Sequence, residues 1–488
     1  MKWNVWMCLV LLSCQAGEDT STSEPPNILF IAVDDLRPEL GAYGNTVIRT
    51  PHMDRLASEG FLFNRHYVTS PTCGASRFAM LRGLLPRSKA EIKNSACFEF
   101  MSTQAEGERP ESYFHHLRRN GYYTVGIGKI PHSAENRVYG YTEAVSDSLE
   151  MPHSWDEFHL DYEKWGTGWN AFFGYADGSN RQGRKRQVKP YENADVSDNA
   201  YPDGLSAEIA MAKLGELKKA GKPFALATGF FKPHLPWTAP KKYWDMYDRS
   251  DISLTGTPHF PEGIDLKSLH GSGEFNNYQA GEESASLEDE LSADYQRKLV
   301  HAYYASISYV DAQIGKVLDE LDRLGLSENT MVVLWGDHGW HLGDYRVWGK
   351  HTLFERSLRS AMILRLPGDV IQGKTIDAIV STVDIYPTIL DAAGLSPPYA
   401  MDGQSLLPLL NGDEDGETRV AFGYFRNGIT LRTDQYRFTK YFREEIPLEL
   451  YDHRKDPLEM VNIAEQNPAL VTKLSPLWEK GNTGIFGE

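Results

Sequence analysis

The feature that most constrains the fold is a pair of apolar runs that each end directly in charged residues. Residues 28–33 form one unbroken apolar run and residues 331–335 form another. A strand with one solvated face alternates apolar and polar residues, so unbroken runs predict strands of a parallel sheet that is buried on both faces. The residues that follow the two runs are Asp34-Asp35 and Gly336-Asp337-His338.

Two further apolar runs also deliver polar residues just past their ends. Residues 122–127 lead into Lys129, and residues 224–231 lead into Lys232 and His234. In open parallel α/β sheets the ligand crevice lies outside the carboxyl ends of the strands, so these side chains are predicted to meet at one edge. Helical patterns alternate with the strands, at residues 51–59, 206–219 and 303–324.

The length of 488 residues allows either one large α/β domain with an appendage or two to three smaller domains. We predict a catalytic domain over residues 27–411 and a small antiparallel subdomain with a terminal helix over residues 412–488, because the pattern changes after Asn411 to short β-prone runs. Residues 134–199 and 251–292 are rich in Gly, Asn, Asp and Ser. They are predicted to be long insertions of the kind that contact substrate.

The N-terminal residues are typical of an export signal. Residues 3–12 are mainly apolar but cover about half of the roughly 20 residues that a membrane helix needs. The run ends in Leu-Leu-Ser-Cys14, which resembles a bacterial lipobox, so residues 1–13 are predicted to be a lipoprotein signal peptide and residues 14–26 a tether. The alternative is an ordinary cleavable signal with a coincidental cysteine. The protein is thus expected to be exported to the periplasm or cell surface, with membrane contact only through a lipid on Cys14.

Charge and cysteine content exclude several classes of protein. The formal net charge of −17 repels nucleic acid, so a nucleic-acid partner is excluded and an anionic substrate must be held by local cations. Of the four cysteines, Cys8 and Cys14 fall in the export signal. The remaining two, Cys73 and Cys97, cannot form a disulfide framework for a chain of this length.

The residues that follow the strands at 28–33 and 331–335 are suited to a metal ion. Three carboxylates and one imidazole make a mostly hard-oxygen site, which fits Ca²⁺ or Mg²⁺ better than zinc. Helix capping is the alternative for one such pair, because Asp after a strand often caps the next helix. Two doublets together favour the metal. The candidate ligands are Asp34, Asp35, Asp337 and His338.

A second informative segment is Pro-Thr-Cys-Gly-Ala-Ser-Arg at residues 71–77. A cysteine with an arginine four residues later can also be a buried structural cysteine beside a surface arginine. The spacing Cys73-x-Ala75-x-Arg77, however, resembles the maturation signature of type I sulfatases, in which a maturation enzyme oxidises the cysteine to formylglycine. The two metal doublets match that family in order and spacing. One departure is Arg82, where the extended signature usually has Thr.

The resemblance implies an alkaline-phosphatase-like α/β fold, with a mostly parallel central sheet flanked by helices and a small C-terminal antiparallel subdomain. It also implies two cofactors, Ca²⁺ and formylglycine derived from Cys73. The metal residues that it implies are Asp34, Asp35, Cys73, Asp337 and His338.

Within the family the likeness is greatest to iduronate-2-sulfatases. Residues 128–132 have their Lys-x-x-His spacing, and residues 232–236 resemble their Lys-Pro-His segment. The likeness implies hydrolysis of a sulfate ester on a sulfated oligo- or polysaccharide, with the 2-O-sulfate of a uronic acid as the expected target. The catalytic residues that it implies are Cys73, Arg77, Lys129, His132, His234 and Lys350.

Two other functions stay open from the sequence. One is a phosphatase or phosphodiesterase of the alkaline phosphatase superfamily, although the presence of Cys73 with Arg77 four residues later argues against it. The other is an inactive glycan-binding lipoprotein.

His341 and His351 are expected to be structural. The basic run at residues 184–186, with Arg181 and Lys189, is more typical of a solvated loop than of a contact to a polyanion.

Overall fold

A computed structural model describes residues 25–368, 373–413, 419–442 and 445–487. The predicted signal peptide, Cys14 and nearly all of the predicted tether lie outside these residues. Within the described ranges, none of the helices combines the length and the apolar character that a bilayer span requires.

The strands of the described residues are, in chain order, β1 (Asn27–Val33), β2 (Phe61–Phe63), β3 (His66–Tyr67), β4 (Tyr123–Gly128), β5 (Glu157–His159), β6 (Tyr191–Glu192), β7 (Phe224–Phe230), β8 (Trp237–Thr238), β9 (Thr330–Gly336), β10 (His341–Leu342), β11 (Trp348–Gly349), β12 (Met362–Arg365), β13 (Lys374–Ile376), β14 (Val380–Ser381), β15 (Ala421–Phe425), β16 (Gly428–Arg432), β17 (Tyr436–Tyr441) and β18 (Glu449–Asp452).

The α-helices of the same residues are α1 (Pro51–Glu59), α2 (Cys73–Arg82), α3 (Ala96–Met101), α4 (Tyr113–Arg119), α5 (Gly168–Phe172), α6 (Pro202–Ala220), α7 (Lys241–Trp244), α8 (Ala293–Arg323), α9 (Glu355–Leu358), α10 (Ile385–Ala392), α11 (Leu407–Asn411) and α12 (Pro468–Glu479).

The central sheet has eight strands in the order β13-β2-β12-β9-β1-β7-β4-β5. All neighbouring pairs are parallel except those that β12 makes with β9 and with β2. The four strands predicted from unbroken apolar runs are β1, β4, β7 and β9, and they are adjacent in the middle of the sheet. The predicted mostly parallel sheet is therefore confirmed.

Helices cover both faces of this sheet, which explains why residues 28–33 of β1 are all apolar. Leu29, Ile31 and Val33 pack in one apolar core with residues of α1, α6 and α8. The alternate residues Ile28 and Phe30 pack in a second core with residues of α2, α4 and α10. Successive side chains of a strand point to opposite faces, so a strand between two helical layers must be apolar throughout.

The predicted helices are present, but two of them begin earlier than expected. The α8 helix begins at Ala293, ten residues before the predicted start, where the side chain of Ser292 accepts a hydrogen bond from the Tyr295 backbone N–H. The α6 helix begins at Pro202 and not at Ser206. In both cases the first turns carry polar residues, so the apolar period alone could not locate the start.

The C-terminal sheet has the order β15-β16-β17-β18 and is wholly antiparallel, as predicted. Its core includes Leu431 and Phe438, together with Trp478 of α12. Ala75 and Ala79 of α2 belong to the same core. The small sheet thus supports the helix that begins at Cys73.

Candidate active site

The carboxyl ends of β9, β1, β7 and β4 bring the predicted strand-end residues to one edge. Backbone hydrogen bonds continue past the strands: the Asp34 N–H donates to the Phe230 carbonyl at 3.3 Å, and the Asp337 N–H donates to the Val33 carbonyl at 3.2 Å. The Lys129 N–H donates to the Gly229 carbonyl at 3.1 Å. These bonds fix the direction in which the side chains leave the sheet.

Cys73 is the first residue of α2, and its side chain reaches the same edge. Sγ lies 3.2 Å from Nε2 of His338 and 3.3 Å from Nζ of Lys350. The next residue must be glycine, because a Cβ at Gly74 would lie 2.2 Å from the Asn94 carbonyl oxygen. Cys73 is buried, at 3 % exposure.

The predicted metal residues form one buried cluster. Asp34, Asp35, Cys73 and His338 each offer a ligand atom, and these atoms all lie within 4.8 Å of one another. Asp337 borders the cluster, with Oδ1 accepting from the Asp35 N–H at 3.0 Å. Oδ1 of Asp34 and Oδ2 of Asp35 are buried without a hydrogen-bond partner. Unsatisfied buried carboxylate oxygens are expensive, so they fit a site that a cation completes.

The orientation of His338 also fits a metal ion. Nδ1 lies 3.0 Å from the carbonyl oxygen of Gly339, which can only accept a hydrogen bond, so Nδ1 carries the hydrogen. Nε2 then turns its lone pair toward the cluster, 3.3 Å from Oδ1 of Asp35. A backbone carbonyl that fixes the tautomer in this way is usual behind a metal-binding histidine.

Three buried cations pair with the carboxylates of the cluster. Nζ of Lys129 donates to Asp34, Nζ of Lys350 donates to Oδ1 of Asp35 at 2.8 Å, and Nε of Arg77 donates to Oδ2 of Asp337 at 2.9 Å. Burial raises the pKa of Asp35 well above its usual range. For Asp34 the charges of Lys129 and Arg77 outweigh burial and hold the pKa well below its usual range.

His234 joins the site from the loop after β7. Nδ1 lies 2.6 Å from the Leu235 carbonyl oxygen, and Nε2 lies 2.9 Å from Oε1 of Glu274 and 4.0 Å from Oδ2 of Asp35. The buried Lys232 holds this loop by donating to the carbonyls of His234 and Pro236. Burial and the charge of Lys350 lower the pKa of His234 to about 4.

Glu274 is a site residue that the sequence did not indicate. Its Oε2 lies 3.4 Å from Nζ of Lys350, so it contacts both Lys350 and His234. It lies in the insertion at 251–292, away from any strand end, where no sequence pattern distinguishes it. Phe172 is a second missed residue: Nζ of Lys129 lies 4.2 Å from its ring centroid, and the ring of His234 lies 4.4 Å away.

His132 lies further out than the other predicted residues. Its Nε2 is 3.4 Å from the hydroxyl of Tyr141, and its ring centroid is 5.2 Å from that of Trp169. Burial and the charge of Lys129 hold its pKa well below the usual range, so the ring is neutral. It also lines a cavity of about 520 Å³ together with Phe98, Arg137, Tyr141 and Trp169.

Several other predicted residues take structural positions. His341 lies 2.9 Å from Oγ1 of Thr352, and the ring of His351 stacks on Phe425. Arg82, the departure from the sulfatase signature, lies over the ring of Phe78 and 3.7 Å from Glu91. Arg82 therefore takes part in packing at the far end of α2, away from Cys73.

Comparison with known proteins places the chain in a family. The family model described as Sulfatase matches residues 26–395, and the model described as N-sulphoglucosamine sulphohydrolase, C-terminal, matches residues 343–479. A sulfatase of Formosa agariphila is 29 % identical over 98 % of this chain and 93 % of its own length. The iduronate 2-sulfatase of Mus musculus is 30 % identical over 80 % of this chain and 72 % of its own length.

The fold is also found among solved structures. The phosphonate monoester hydrolase of Agrobacterium radiobacter superposes with a TM-score of 0.74 at 23 % identity, over 93 % of this chain and 96 % of that one. This likeness concerns the fold. The family match covers most of the chain and agrees with the order of its motifs. The chain therefore belongs to the sulfatase family and is a sulfuric ester hydrolase.

Proposed function

We propose that the enzyme cleaves sulfate monoesters of a sulfated glycan with a formylglycine made from Cys73 and with a bound Ca²⁺. The observation that carries this proposal is the position of Sγ, at 3.2 Å and 3.3 Å from His338 and Lys350 and within the cluster of buried carboxylates. A nucleophile, a cation site and anion-binding cations thus converge at one point.

The thiol itself is unsuited to be the nucleophile. Burial and the charge of Asp34 raise the pKa of Cys73 to about 12, so the thiol stays protonated at neutral pH. Formylglycine, when present as its hydrate, supplies a hydroxyl that can attack sulfur. This fits an enzyme in which Cys73 is a precursor and not the working group.

Charge balance supports a divalent cation. The site contains four carboxylates and three cationic side chains, so its formal charge without a metal is negative. A negative site disfavours binding of an anionic sulfate. A bound Ca²⁺ would reverse this excess of negative charge and would withdraw electron density from the sulfate oxygens. The residues that would hold it are Asp34, Asp35, Asp337 and His338, together with the modified Cys73.

The cationic side chains of the site would bind the sulfate and stabilise its transition state. Nζ of Lys350 lies between Asp35, Glu274 and Cys73, and these neighbours raise its pKa well above the usual range despite burial. Lys350 therefore remains charged and can face sulfate oxygens beside the nucleophile. Lys129 would bind the sulfate from the β4 side. Arg77, held by Asp337, would orient the nucleophile.

Proton transfers would be shared by three residues. Asp337 would accept the proton of the attacking hydroxyl. The His234 ring is neutral before substrate binds, but an incoming sulfate adds negative charge that raises its pKa, so His234 can carry a proton to the leaving sugar oxygen. His132, which is neutral and has a buried Nδ1 without a partner, would accept the proton of the second hydroxyl of the sulfated hydrate, so that the aldehyde forms again as sulfate leaves.

For the substrate, we propose the 2-O-sulfate of a uronic acid within an oligo- or polysaccharide. The similarity to iduronate 2-sulfatase supports this choice, as do the Lys-x-x-His and Lys-Pro-His segments. For location, we propose a lipoprotein anchored through Cys14, on the basis of the lipobox-like sequence alone.

The proposal is tested with protein made alongside a maturation enzyme. Mass spectrometry of the peptide that contains Cys73 should find formylglycine, and Cys73→Ala should lose nearly all sulfate release. Cys97→Ala is the matched control, because Cys97 is the other described cysteine and is buried in an apolar core. An active preparation with a wholly unmodified Cys73, or an active Cys73→Ala, would contradict the proposal. The phosphatase alternative predicts zinc and turnover of phosphate esters over sulfate esters.

A further inference from the structure

Arg181 differs from every other buried arginine of the described residues. Six arginines are buried there, and five of them form an ion pair with a carboxylate. Arg181 is 6 % exposed, and among the described residues no carboxylate oxygen lies within 4.0 Å of its guanidinium. The five paired arginines are Arg37, Arg77, Arg365, Arg432 and Arg437.

The surroundings of Arg181 are mainly aromatic. The guanidinium lies over the ring of Phe173, 3.6 Å from its centroid, and 5.4 Å from the ring centroid of Tyr278, whose hydroxyl is beside it. Nε is buried and makes no hydrogen bond. Burying a charge without a counter-ion is costly, so such a residue persists where a ligand supplies the missing anion.

The ring of Phe173 lies between Arg181 and the proposed catalytic residue His234. The ring of Phe173 lies 6.2 Å from that of His234 and 5.4 Å from that of Tyr141. The hydroxyl of Tyr141 in turn faces His132. Tyr141 is 39 % exposed as a residue. Desolvation of its hydroxyl nevertheless raises its pKa to about 12, and the charges of both Arg181 and Lys350 oppose that rise, as expected of two cations near one hydroxyl. A group bound at Arg181 would therefore be close to the sulfate at Lys350.

We propose that Arg181 binds a second anionic group, a carboxylate or a sulfate, on the same sugar whose sulfate ester is cleaved. The inference rests on the proposed function and extends it, because it assigns the substrate to acidic sugar sulfates and not to neutral ones. A guanidinium presents a planar array of donors that matches either anion in a two-point contact. Phe173 holds that plane in place by stacking.

The neighbouring basic residues lack these properties. Arg184 pairs with Asp177 at 3.7 Å, and both side chains are 60 % exposed. An exposed pair of this kind contributes little to the stability of the fold. Arg184→Gln is therefore a matched control that removes one positive charge from the same insertion.

The test compares kcat/KM on three sulfate esters: a 2-O-sulfated uronic acid, a sugar with two sulfates and no carboxylate, and a neutral sugar with one sulfate. Arg181→Gln should lower the ratio of acidic to neutral kcat/KM by about 10- to 100-fold, mostly through KM, as expected for a hydrogen bond between charged groups. The acidic ester that shows the fall identifies the anion as carboxylate or sulfate. Arg184→Gln should keep the wild-type ratio.

Other outcomes separate this inference from the proposed function. An unchanged ratio in Arg181→Gln, or an equal loss on acidic and neutral esters, would overturn the role of Arg181. A wild-type enzyme that releases sulfate from none of the esters would instead overturn the proposed glycan substrate. If Arg181→Gln does not fold, Arg181→Lys is used in its place. This variant keeps the charge but not the planar array of donors, so the ratio of acidic to neutral kcat/KM is expected to fall by a smaller factor. An unchanged ratio in that variant would also overturn the role.

Discussion

Two separate clusters in this enzyme, one fully buried and the other partly buried, contain the same kinds of metal-ligating groups but differ in how their charges are satisfied. One is the active-site cluster of Asp34, Asp35, Cys73 and His338. The other, which we term the paired network, comprises Glu355, His453 and Glu459 with Arg432 and Arg437. In both, three or more ligand atoms lie within 4.8 Å of one another.

The paired network satisfies its own charges. Nη2 of Arg437 lies 2.5 Å from Oε2 of Glu355, its Nε contacts Glu459, and Nε2 of His453 lies 2.8 Å from Oε1 of Glu459. Each of its side-chain nitrogen and oxygen atoms is exposed or hydrogen-bonded, whereas the active-site cluster leaves oxygens of Asp34 and Asp35 buried without a partner. The difference indicates that the network serves stability and the active-site cluster serves a ligand.

The largest effect should come from removing the central cation of the paired network. Arg437→Met leaves the buried Glu459 and the partly buried Glu355 without one of their cationic partners, and removal of one member of a buried pair destabilises by about 3–5 kcal/mol. Denaturant unfolding measures this loss. Arg454→Met is the control, because Arg454 pairs with Asp452 on the surface with a side chain that is 49 % exposed. A loss for Arg437→Met no greater than that of the control would contradict the distinction.

Beside the active-site cluster, removal of a cation should reduce turnover. Lys350→Met removes a positive charge next to Cys73. We expect this charge to act most strongly in the transition state, where the leaving oxygen gains negative charge. Loss of one such group lowers kcat by about 10²- to 10³-fold. Steady-state kinetics on a sulfate ester checks this, with Lys267→Met, an exposed lysine, as control. A rise in KM with kcat retained would contradict this role, because it would show that Lys350 binds the ground state and the transition state equally.

An effect that builds up gradually with pH should appear near the paired network. Among the described residues Glu449 has no arginine within ion-pair distance; Ser268 donates to its Oε1 at 2.5 Å, and burial raises its pKa to about 8. A carboxyl group with a raised pKa favours the folded state below its unfolded pKa, near 4.5, and this contribution is lost as the pH rises through 8. The free energy of unfolding should therefore fall by about 1.4 kcal/mol per pH unit across that window.

Glu449→Gln should remove this slope, because the amide does not titrate. Urea unfolding of both proteins between pH 5 and pH 8 is the measurement. Parallel curves for wild type and Glu449→Gln would show that Glu449 ionises normally in the folded protein.

The active-site residues that could be predicted from the residue pattern are those that directly follow the predicted strands. Asp34 and Asp337 follow apolar runs whose neighbours in the sheet could be inferred, because parallel strands deliver their carboxyl ends to one edge. The Cys73 segment was recognised by its spacing. His132 was recognised in the same way, from its spacing to Lys129.

The residues that could not be predicted come from the insertions. Glu274, Phe172 and Phe173 meet His234 through contacts between segments distant in the chain, and no periodicity marks them. Arg181 was grouped by sequence with the exposed run at 184–186, whereas the structure buries it on Phe173. Strand direction was equally hidden: β12 has four residues, and nothing in its composition indicates that it runs antiparallel.

The central claim is that the active-site cluster, and not the paired network, is the metal site. Calorimetric titration of the metal-free enzyme with Ca²⁺ tests it most directly, because binding is measured without turnover. We expect one Ca²⁺ per chain for the wild type and for His453→Gln, and none for Asp35→Asn. Absence of binding to the wild type, binding that survives in Asp35→Asn, or binding that is lost in His453→Gln would contradict the claim.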